Sequence, residues 1–214
     1  MRRVTTPLSA PPAKTILRTA ALARRREHEP ALRAAFAARL AELGVAHARA
    51  LQVQSASLFM PLPGEPDVRP LLAALAQAGI VTLLPVTGAR GTPLTFRRWR
   101  PGDALVKGQM NIDEPAPEAQ AQDPDLMFVP LAAFDRRGHR IGFGAGHYDC
   151  TIAMLKAKRR LHTVGVAFAS AEVPEVPHEP HDMRLDAVVT EREWIACVVP
   201  SLRSHGEKVS RSDG

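Results

Sequence analysis

The sequence predicts a single α/β domain, a three-layer sandwich whose mainly parallel sheet carries helices on both faces. Its 214 residues suit one compact domain. Continuous apolar runs at residues 80–86 and 126–130 are typical of buried parallel strands. Segments with helical periodicity alternate with such runs, which is the order of βαβ units. We therefore place the domain at residues 13–200 and expect disorder in the unpatterned ends, residues 1–12 and 201–214.

The amino-terminal half is expected to hold a basic helix, a second helix, a strand, a third helix and a further strand. These elements fall at residues 14–28, 30–43, 51–60, 68–78 and 80–86. Pro30 suits the first turn of the second helix, and Gly44 is expected to end that helix. Asp67 is expected to cap the third helix and Gly79 to end it. The succession of strand, helix and strand predicts a βαβ crossover.

The carboxyl-terminal half is expected to hold a half-exposed strand, a long loop, a buried strand, a helix and two further strands. These elements fall at residues 94–100, 102–123, 126–130, 148–160, 163–168 and 187–189. The loop is rich in proline, glycine and acidic residues. The helix ends in basic residues, which suits the negative end of a helix dipole.

Charge and cysteine content limit the class of partner. The formal net charge of +6 and the sequence pI of about 10.0 favour anionic ligands. The basic residues form short clusters, not one long tract with interleaved aromatics, so we expect no nucleic-acid partner. Cys150 and Cys197 lie outside any CxxC pair, which argues against a disulfide framework or a zinc ribbon. No stretch reaches the roughly 18 apolar residues of a membrane span, and we expect a cytoplasmic monomer with no membrane partner.

The segment GFGAGHYD at residues 142–149 is the most informative part of the chain. Its alternate glycines lack the Cβ atoms that would keep a phosphate from successive backbone N–H groups, and a predicted helix follows. A tight structural turn is the alternative. His147 stands where a dinucleotide-binding fingerprint needs glycine, and no GK[ST] follows as in a Walker loop. Asp149 is either a residue that complements the helix dipole or a magnesium ligand.

Several segments around this loop resemble one known family, the 5-formyltetrahydrofolate cyclo-ligases or 5,10-methenyltetrahydrofolate synthetases. Five ordered blocks carry the resemblance, which makes it more specific than any single motif. They are KTILR from Lys14, FMPLPGEPDV from Phe59, WRPGDALVKG and IDEP between Trp99 and Pro115, LMFVPLAAFDRRGHRIGFGAGHYD from Leu126, and VPHEPHDMRLDAVVTE from Val176.

The resemblance implies a ligase of one-carbon folate metabolism. It implies ATP-dependent conversion of 5-formyltetrahydrofolate, with or without a polyglutamate tail, to 5,10-methenyltetrahydrofolate, with release of ADP and phosphate and with Mg²⁺ as metal. Residues similar to the family's ATP-binding positions are Lys14, Arg18, Arg140, Gly142, Phe143, Gly144, Ala145, Gly146, His147 and Tyr148. Those similar to its folate-binding positions or expected beside the pteridine ring are Met60, Glu65, Trp99, His147 and Tyr148. Asp149 and Asp182 correspond to metal ligands, and Arg140 and Tyr148 are the expected catalytic residues.

Other functions remain open at the level of the sequence. A zinc site formed by His178, His181 and Asp182 is one alternative, although it lacks a distal ligand. An enzyme acting on sugar phosphates or coenzyme A esters is a second, since glycine loops also hold those phosphates. A nucleic-acid-binding protein is a third, motivated by the pI.

Overall fold

The computed structural model describes residues 13–197, so the two termini that the sequence predicts to be disordered lie outside the described residues. The helices are α1 (Ala13–Arg25), α2 (Pro30–Ala50), α3 (Arg69–Gln77) and α4 (His147–Lys158), with a short 3-10 helix at Ala169–Ala171. The strands are β1 (Ser55–Ser57), β2 (Val81–Val86), β3 (Thr95–Arg98), β4 (Leu105–Lys107), β5 (Asp113–Pro115), β6 (Leu126–Pro130), β7 (Ala133–Phe134), β8 (Arg140–Ile141), β9 (His162–Val166), β10 (Ala187–Val189) and β11 (Trp194–Ala196).

Seven strands form one central sheet in the order β11-β10-β9-β6-β1-β2-β3. The five inner strands run parallel, with Ser55 opposite Val81 in the β1–β2 pair. The two edge strands, β3 and β11, are antiparallel to their neighbours. The prediction of a single mainly parallel sheet is confirmed, and the β1–α3–β2 unit is the predicted crossover.

Helices cover both faces of this sheet. Alternate residues of β6 show the division, because Leu126 and Phe128 pack into the cluster that contains α2 and α3. Met127 and Val129 point to the opposite face and join the cluster that contains α4. The predicted three-layer sandwich is therefore confirmed. Helix α1 packs on a third, smaller cluster with Ile141, which brings its amino-terminal turns beside the glycine-rich segment.

Helix α2 does not end at Gly44, as the sequence predicted, but continues to Ala50. Gly44 is buried where α2 meets α3, and a Cβ atom built on it would lie 2.5 Å from Leu71 Cδ1. The glycine therefore permits close packing of two helices. A single sequence does not distinguish this use of glycine from helix termination, because the leucine that needs the space is distant in sequence.

Replacing Gly44 by alanine is expected to lower the free energy of unfolding by about 1 to 2 kcal/mol, because overpacking against the fully buried Leu71 outweighs the gain in helix propensity. Thermal denaturation measures the change. Gly79→Ala is a contrasting variant, since no atom lies within 4 Å of its added Cβ and its cost arises from the φ of +79° alone. A wild-type melting temperature in Gly44→Ala would contradict the packing account.

Other boundaries also differ from the prediction. The strand expected at residues 51–60 is only Ser55–Ser57, and the loop expected at 102–123 contains the antiparallel pair β4–β5. Strand β11 was not predicted. The N-cap of α3 is Val68 and not, as the sequence predicted, Asp67, and no side chain caps this helix. Asp67 lies one residue earlier, where its Oδ1 accepts the N–H of Arg69 at 3.0 Å.

Candidate active site

A cleft of about 390 Å³ opens where the parallel strands β1, β2 and β6 end. Met60 follows β1, Thr87 follows β2 and Pro130 ends β6, and all three line the cleft. Helix α1, the β4–β5 hairpin and the amino terminus of α4 form its other walls. The carboxyl edge of a parallel sheet is the usual position of a ligand site in α/β proteins.

Residues 142–146 line the cleft with their backbone N–H groups. In the part of the chain that the structure describes, none of these five N–H groups donates a hydrogen bond. The carbonyl oxygens, in contrast, are held by other groups. Those of Gly142, Gly144, Ala145 and Gly146 accept hydrogen bonds from Arg18 Nε (2.7 Å), Arg90 Nη2 (2.8 Å), the Gly91 N–H (3.0 Å) and the Cys150 N–H (3.2 Å). The segment is thus fixed by its acceptors while its donors remain free.

The conformation of this segment depends on two of its glycines. Gly144 has a φ of +90° and Gly146 a φ of +76°, in a region that L side chains rarely adopt. Gly146 is also the N-cap of α4 and supplies no side-chain cap, so the first N–H groups of that helix lack a capping acceptor. Loop donors and helix dipole together form a site for an anion such as a phosphate.

Two pairs of oppositely charged side chains lie beside this loop. Lys14 Nζ is 2.5 Å from Asp182 Oδ2, and Arg140 Nη2 is 2.8 Å from Asp149 Oδ1. Arg140 also donates to the carbonyl of Met183, whose own N–H donates to Asp149 Oδ1 at 2.9 Å. The two carboxylates proposed as metal ligands are therefore linked through adjacent residues of one loop.

The electrostatics keep Asp182 ionised. Burial alone would raise the pKa of its carboxyl group. Hydrogen bonds from Lys14 and from the Glu179 N–H outweigh that effect, so the pKa lies below its usual value. At neutral pH this loop presents a carboxylate, which is the form that binds a metal ion.

Glu65 lies at a different wall of the cleft. Its side chain is 3% exposed, and burial raises its pKa above the usual value despite the nearby Arg25. Arg25 Nη1 is 3.2 Å from Oε1, and the Leu62 N–H donates to Oε2 at 2.8 Å. Arg25 also lies over the ring of Phe143, 5.5 Å from its centroid. Arg25 was not predicted as a site residue, because a single arginine on a basic helix carries no sign of its partner.

His147 and Tyr148 begin α4 and face the same cleft. His147 Nδ1 lies 2.8 Å from the carbonyl oxygen of Thr92, and since a carbonyl only accepts, Nδ1 carries the hydrogen. Burial raises the pKa of the Tyr148 phenol well above its usual value, and the charge of Glu65 raises it further. Tyr148 is therefore a neutral hydroxyl at every physiological pH.

The structure brings all but one of the predicted site residues to the cleft. Trp99 is the exception, since it packs against the apolar cluster of α2 and α3 and its Nε1 donates to the Asp103 carbonyl. The expectation that Trp99 contacts the folate is thus not supported. The hairpin residues Met110, Ile112 and Glu114 also line the cleft, although they were not predicted as ligand contacts.

The zinc alternative finds no support in the structure. Among residues 13–197, no group of three or more histidine, cysteine or acidic side chains is arranged to hold a metal ion. His178 Nδ1 instead lies 3.1 Å from the carbonyl of Val176, and its ring stacks on that of His139 at 3.7 Å. Within the same described range, no helix is long and apolar enough to cross a membrane.

A buried carboxylate fixes the turn that precedes Arg140. Asp135 accepts hydrogen bonds from the N–H groups of Arg137, His139 and Val176, at 2.9 to 3.1 Å. Burial opposes ionisation, but these donors and the Arg137 side chain lower the pKa of Asp135 overall. The ionised Asp135 side chain therefore contributes fully to the free energy of unfolding at pH values above its unfolded-state pKa of about 3.9. This contribution is lost as the pH falls through the lower pKa of the folded state.

Asp135→Asn is expected to lower the free energy of unfolding at pH 7 by about 1 to 3 kcal/mol, because the new amide N–H₂ faces the Val176 N–H donor. The deficit relative to wild type should shrink below pH 4. Urea denaturation at several pH values measures both effects. A deficit that is the same at pH 3 and pH 7 would contradict the assigned charge state.

The comparison with known proteins identifies the family. Residues 10–191 match the model of the 5-formyltetrahydrofolate cyclo-ligase family, which covers most of the chain. The chain belongs to the 5-formyltetrahydrofolate cyclo-ligase family. A 5-formyltetrahydrofolate cyclo-ligase of Mycolicibacterium smegmatis is 32% identical over 197 residues, which cover 88% of this chain and 99% of that protein. One from Escherichia coli K12 is 32% identical over 145 residues, covering 65% of this chain and 79% of its own.

Solved structures of family members share the fold. The structure of Aquifex aeolicus 5,10-methenyltetrahydrofolate synthetase matches with a TM-score of 0.67 at 26% identity, covering 90% of this chain and 99% of that chain. A 5,10-methenyltetrahydrofolate synthetase from Mycoplasma pneumoniae also has a TM-score of 0.67, at 20% identity, and shows the likeness of fold alone. Membership in the cyclo-ligase family, which five sequence blocks predicted, is thereby confirmed.

Proposed function

We propose that this chain catalyses the ATP-dependent conversion of 5-formyltetrahydrofolate to 5,10-methenyltetrahydrofolate, releasing ADP and phosphate. One observation carries the proposal. This chain belongs to the cyclo-ligase family, and its glycine-rich residues 142–146 lie in the same cleft as the Lys14–Asp182 and Arg140–Asp149 pairs. The N–H groups of these five residues donate no hydrogen bond within residues 13–197. A phosphate-binding loop beside two carboxylates suits a magnesium nucleotide. The proposal also states that the protein acts as a monomer in the cytoplasm and that it accepts folate with a polyglutamate tail.

The nucleotide phosphates fit the glycine-rich loop. Backbone N–H groups from Gly142 to Gly146 would bind the phosphate oxygens, and the amino terminus of α4 adds favourable charge. Lys14 and Arg18 reach this loop from α1, Arg18 through its hydrogen bond to the Gly142 carbonyl. Since Phe143 and Ala145 carry no charge, phosphate affinity depends on the amides and on these few cations.

The residues present also fit a magnesium ion. Mg²⁺ prefers oxygen ligands and is commonly held by one or two carboxylates together with substrate phosphates. Asp149 and Asp182 would hold it, and the ion would supply neutralisation of the negative charge on the phosphates. The absence of a third acidic ligand among the described residues agrees with a site that the phosphates complete.

The two charged pairs explain how metal and nucleotide bind together. Lys14 and Arg140 neutralise the carboxylates of Asp182 and Asp149. Asp182 and Asp149 would hold the metal of a magnesium nucleotide, and Lys14 and Arg140 would pair with its phosphates. Each charge then exchanges one partner for another, so that no buried charge is left uncompensated.

The folate fits the wall of the cleft that carries Glu65. Glu65 offers a carboxylate, already oriented by Arg25 and by the Leu62 N–H, to paired N–H donors of the pteridine ring. Met60 and the half-buried ring of Tyr148 supply apolar surface for the flat ring system. The neutral Tyr148 hydroxyl can donate a hydrogen bond to the formyl group or to a phosphate oxygen.

The chemistry needs no protein nucleophile. The formyl oxygen of the substrate attacks the γ-phosphorus, the bond to the β-phosphate oxygen breaks, and ADP leaves. Nitrogen-10 then attacks the formyl carbon and loses its proton, and the carbon–oxygen bond breaks to release phosphate. Arg140 would stabilise the negative charge that develops on the transferred group, and the cleft would hold the reacting atoms in line.

Supplying the purified protein with ATP, Mg²⁺ and 5-formyltetrahydrofolate tests this function directly. The proposal predicts near-ultraviolet absorbance of the methenyl product, formed in equal amount with ADP. An enzyme of sugar phosphates or coenzyme A esters would form no such product. A nucleic-acid-binding protein would instead show RNA binding that weakens steeply with salt and that ATP does not change.

A further inference from the structure

Glu114 is a second buried carboxylate in the cleft, on the hairpin wall formed by β4 and β5. It belongs to β5, is 5% exposed and lines the cleft together with Met110 and Ile112 of the same hairpin. The sequence predicted no ligand-binding or catalytic role for Glu114. A buried acidic side chain normally has a partner that compensates the cost of removing it from water.

Local contacts fix the position of this carboxylate. Its Oε1 accepts the N–H of Thr87 at 3.0 Å, just after β2. On the other side it lies against Gly108, where an added Cβ would be 2.1 Å from the Glu114 Cδ and 2.3 Å from each oxygen. The carboxylate thus occupies space that is available only because residue 108 has no side chain.

Within the described residues, the Glu114 carboxylate has no cationic partner. Among the ion pairs formed by residues 13–197, none includes Glu114, whereas Glu65 is paired with Arg25. The Thr87 N–H is its one hydrogen-bond donor within the same part of the chain, although a carboxylate accepts about four. Most of its acceptor capacity is therefore directed to whatever fills the cleft.

We propose that Glu114 is a substrate-binding residue that accepts N–H hydrogen bonds from the reduced pteridine ring of the folate. The inference rests on the proposed function and adds a second carboxylate to Glu65. Phosphates are excluded as its partner because a carboxylate repels them, and the pteridine presents several N–H donors. Met110 and Ile112 flank Glu114 along the hairpin and give apolar contact to a flat ring.

The first test compares Glu114→Gln with Glu118→Gln, an exposed carboxylate of the segment that follows the hairpin. Glutamine keeps the size of the side chain and its hydrogen bond from the Thr87 N–H. It replaces the second carboxylate oxygen by an amide N–H₂ group, which donates instead of accepting. The KM for 5-formyltetrahydrofolate is expected to rise about 10- to 100-fold in Glu114→Gln, because a charge-assisted hydrogen bond to the substrate is lost. The KM for ATP and the kcat should stay within about twofold of their wild-type values. Glu118→Gln should match wild type in all three constants.

Gly108→Ala supplies an independent variant, because it keeps Glu114 and displaces its carboxylate. It too is expected to raise the folate KM and to leave the ATP KM unchanged, with melting temperatures confirming that both variants are folded. An unchanged folate KM in both variants, or an equal rise for ATP, would overturn the assignment of Glu114 alone. A wild-type protein that forms no methenyl product would overturn the proposed function, and the role of Glu114 with it.

Discussion

Replacing Asp149 by asparagine is expected to reduce turnover about 10²- to 10³-fold while the protein remains folded. The carboxylate lies at the first turn of α4, beside the glycine-rich loop, whose N–H groups donate no hydrogen bond to any residue from 13 to 197. Asparagine keeps the shape and the oxygen that accepts the Met183 N–H. It removes the negative charge that would hold a magnesium ion and that orients Arg140.

The rate of methenyl product formation measures this effect, with Mg²⁺ varied at each ATP concentration. Higher Mg²⁺ should restore part of the activity if the carboxylate acts on the metal. Asp123→Asn is the matched control, because that carboxylate is exposed and outside the cleft. Full activity of Asp149→Asn at low Mg²⁺ would contradict the role assigned to Asp149.

Replacing Arg140 by alanine is expected to cause a similar loss, about 10²- to 10³-fold in kcat, together with a lower melting temperature. The side chain is only 5% exposed, and it joins Asp149 to the Met183 carbonyl. Without it, Asp149 loses its cation and the loop that carries Asp182 loses one of its anchors. Both the charge on the transferred phosphate and the position of the metal ligands would be affected.

Arg140→Lys separates these two consequences. Lysine keeps the charge but has no planar fork with which to bind a carboxylate and a carbonyl at once. We expect it to retain the wild-type melting temperature within a few degrees and to lose about 10-fold or more in kcat. Arg136→Lys is a suitable control, since Arg136 forms exposed pairs with Glu172 and Glu193 away from the cleft. Unchanged kcat in Arg140→Lys and Arg140→Ala would exclude Arg140 from the chemistry.

The fold was predictable wherever hydrophobic periodicity decides structure. Strand β6 and the β1–α3–β2 crossover follow from apolar runs and from turn residues that act locally. Gly44 was not predictable, because its role depends on Leu71, which is distant in sequence. The β4–β5 hairpin was not predictable either, because each strand has only three residues and the segment is rich in the proline, glycine and acidic residues of loops. Local pattern does not reveal whether a glycine ends a helix or admits a neighbouring leucine.

The residues of the candidate site also fall into those that the sequence predicts and those that only the folded chain shows. Alternate glycines and a following helix predicted an anion-binding role for residues 142–146 on physical grounds, and the family resemblance supplied the surrounding cations and acids. Arg25 and Glu114 were missed because their importance arises from burial and from pairing, which only the folded chain shows. Trp99 was selected as a scarce aromatic, but its ring packs against the core.

The proposed function requires that the N–H groups of residues 142–146 bind the nucleotide phosphates. Amide resonances of the isotope-labelled protein, followed by NMR during titration with ADP and Mg²⁺, test it most directly. The account predicts large downfield shifts for the amide protons of Gly142, Gly144 and Gly146, which saturate with the nucleotide and are absent with Mg²⁺ alone. Binding of ADP that leaves these three amide resonances in place would contradict it.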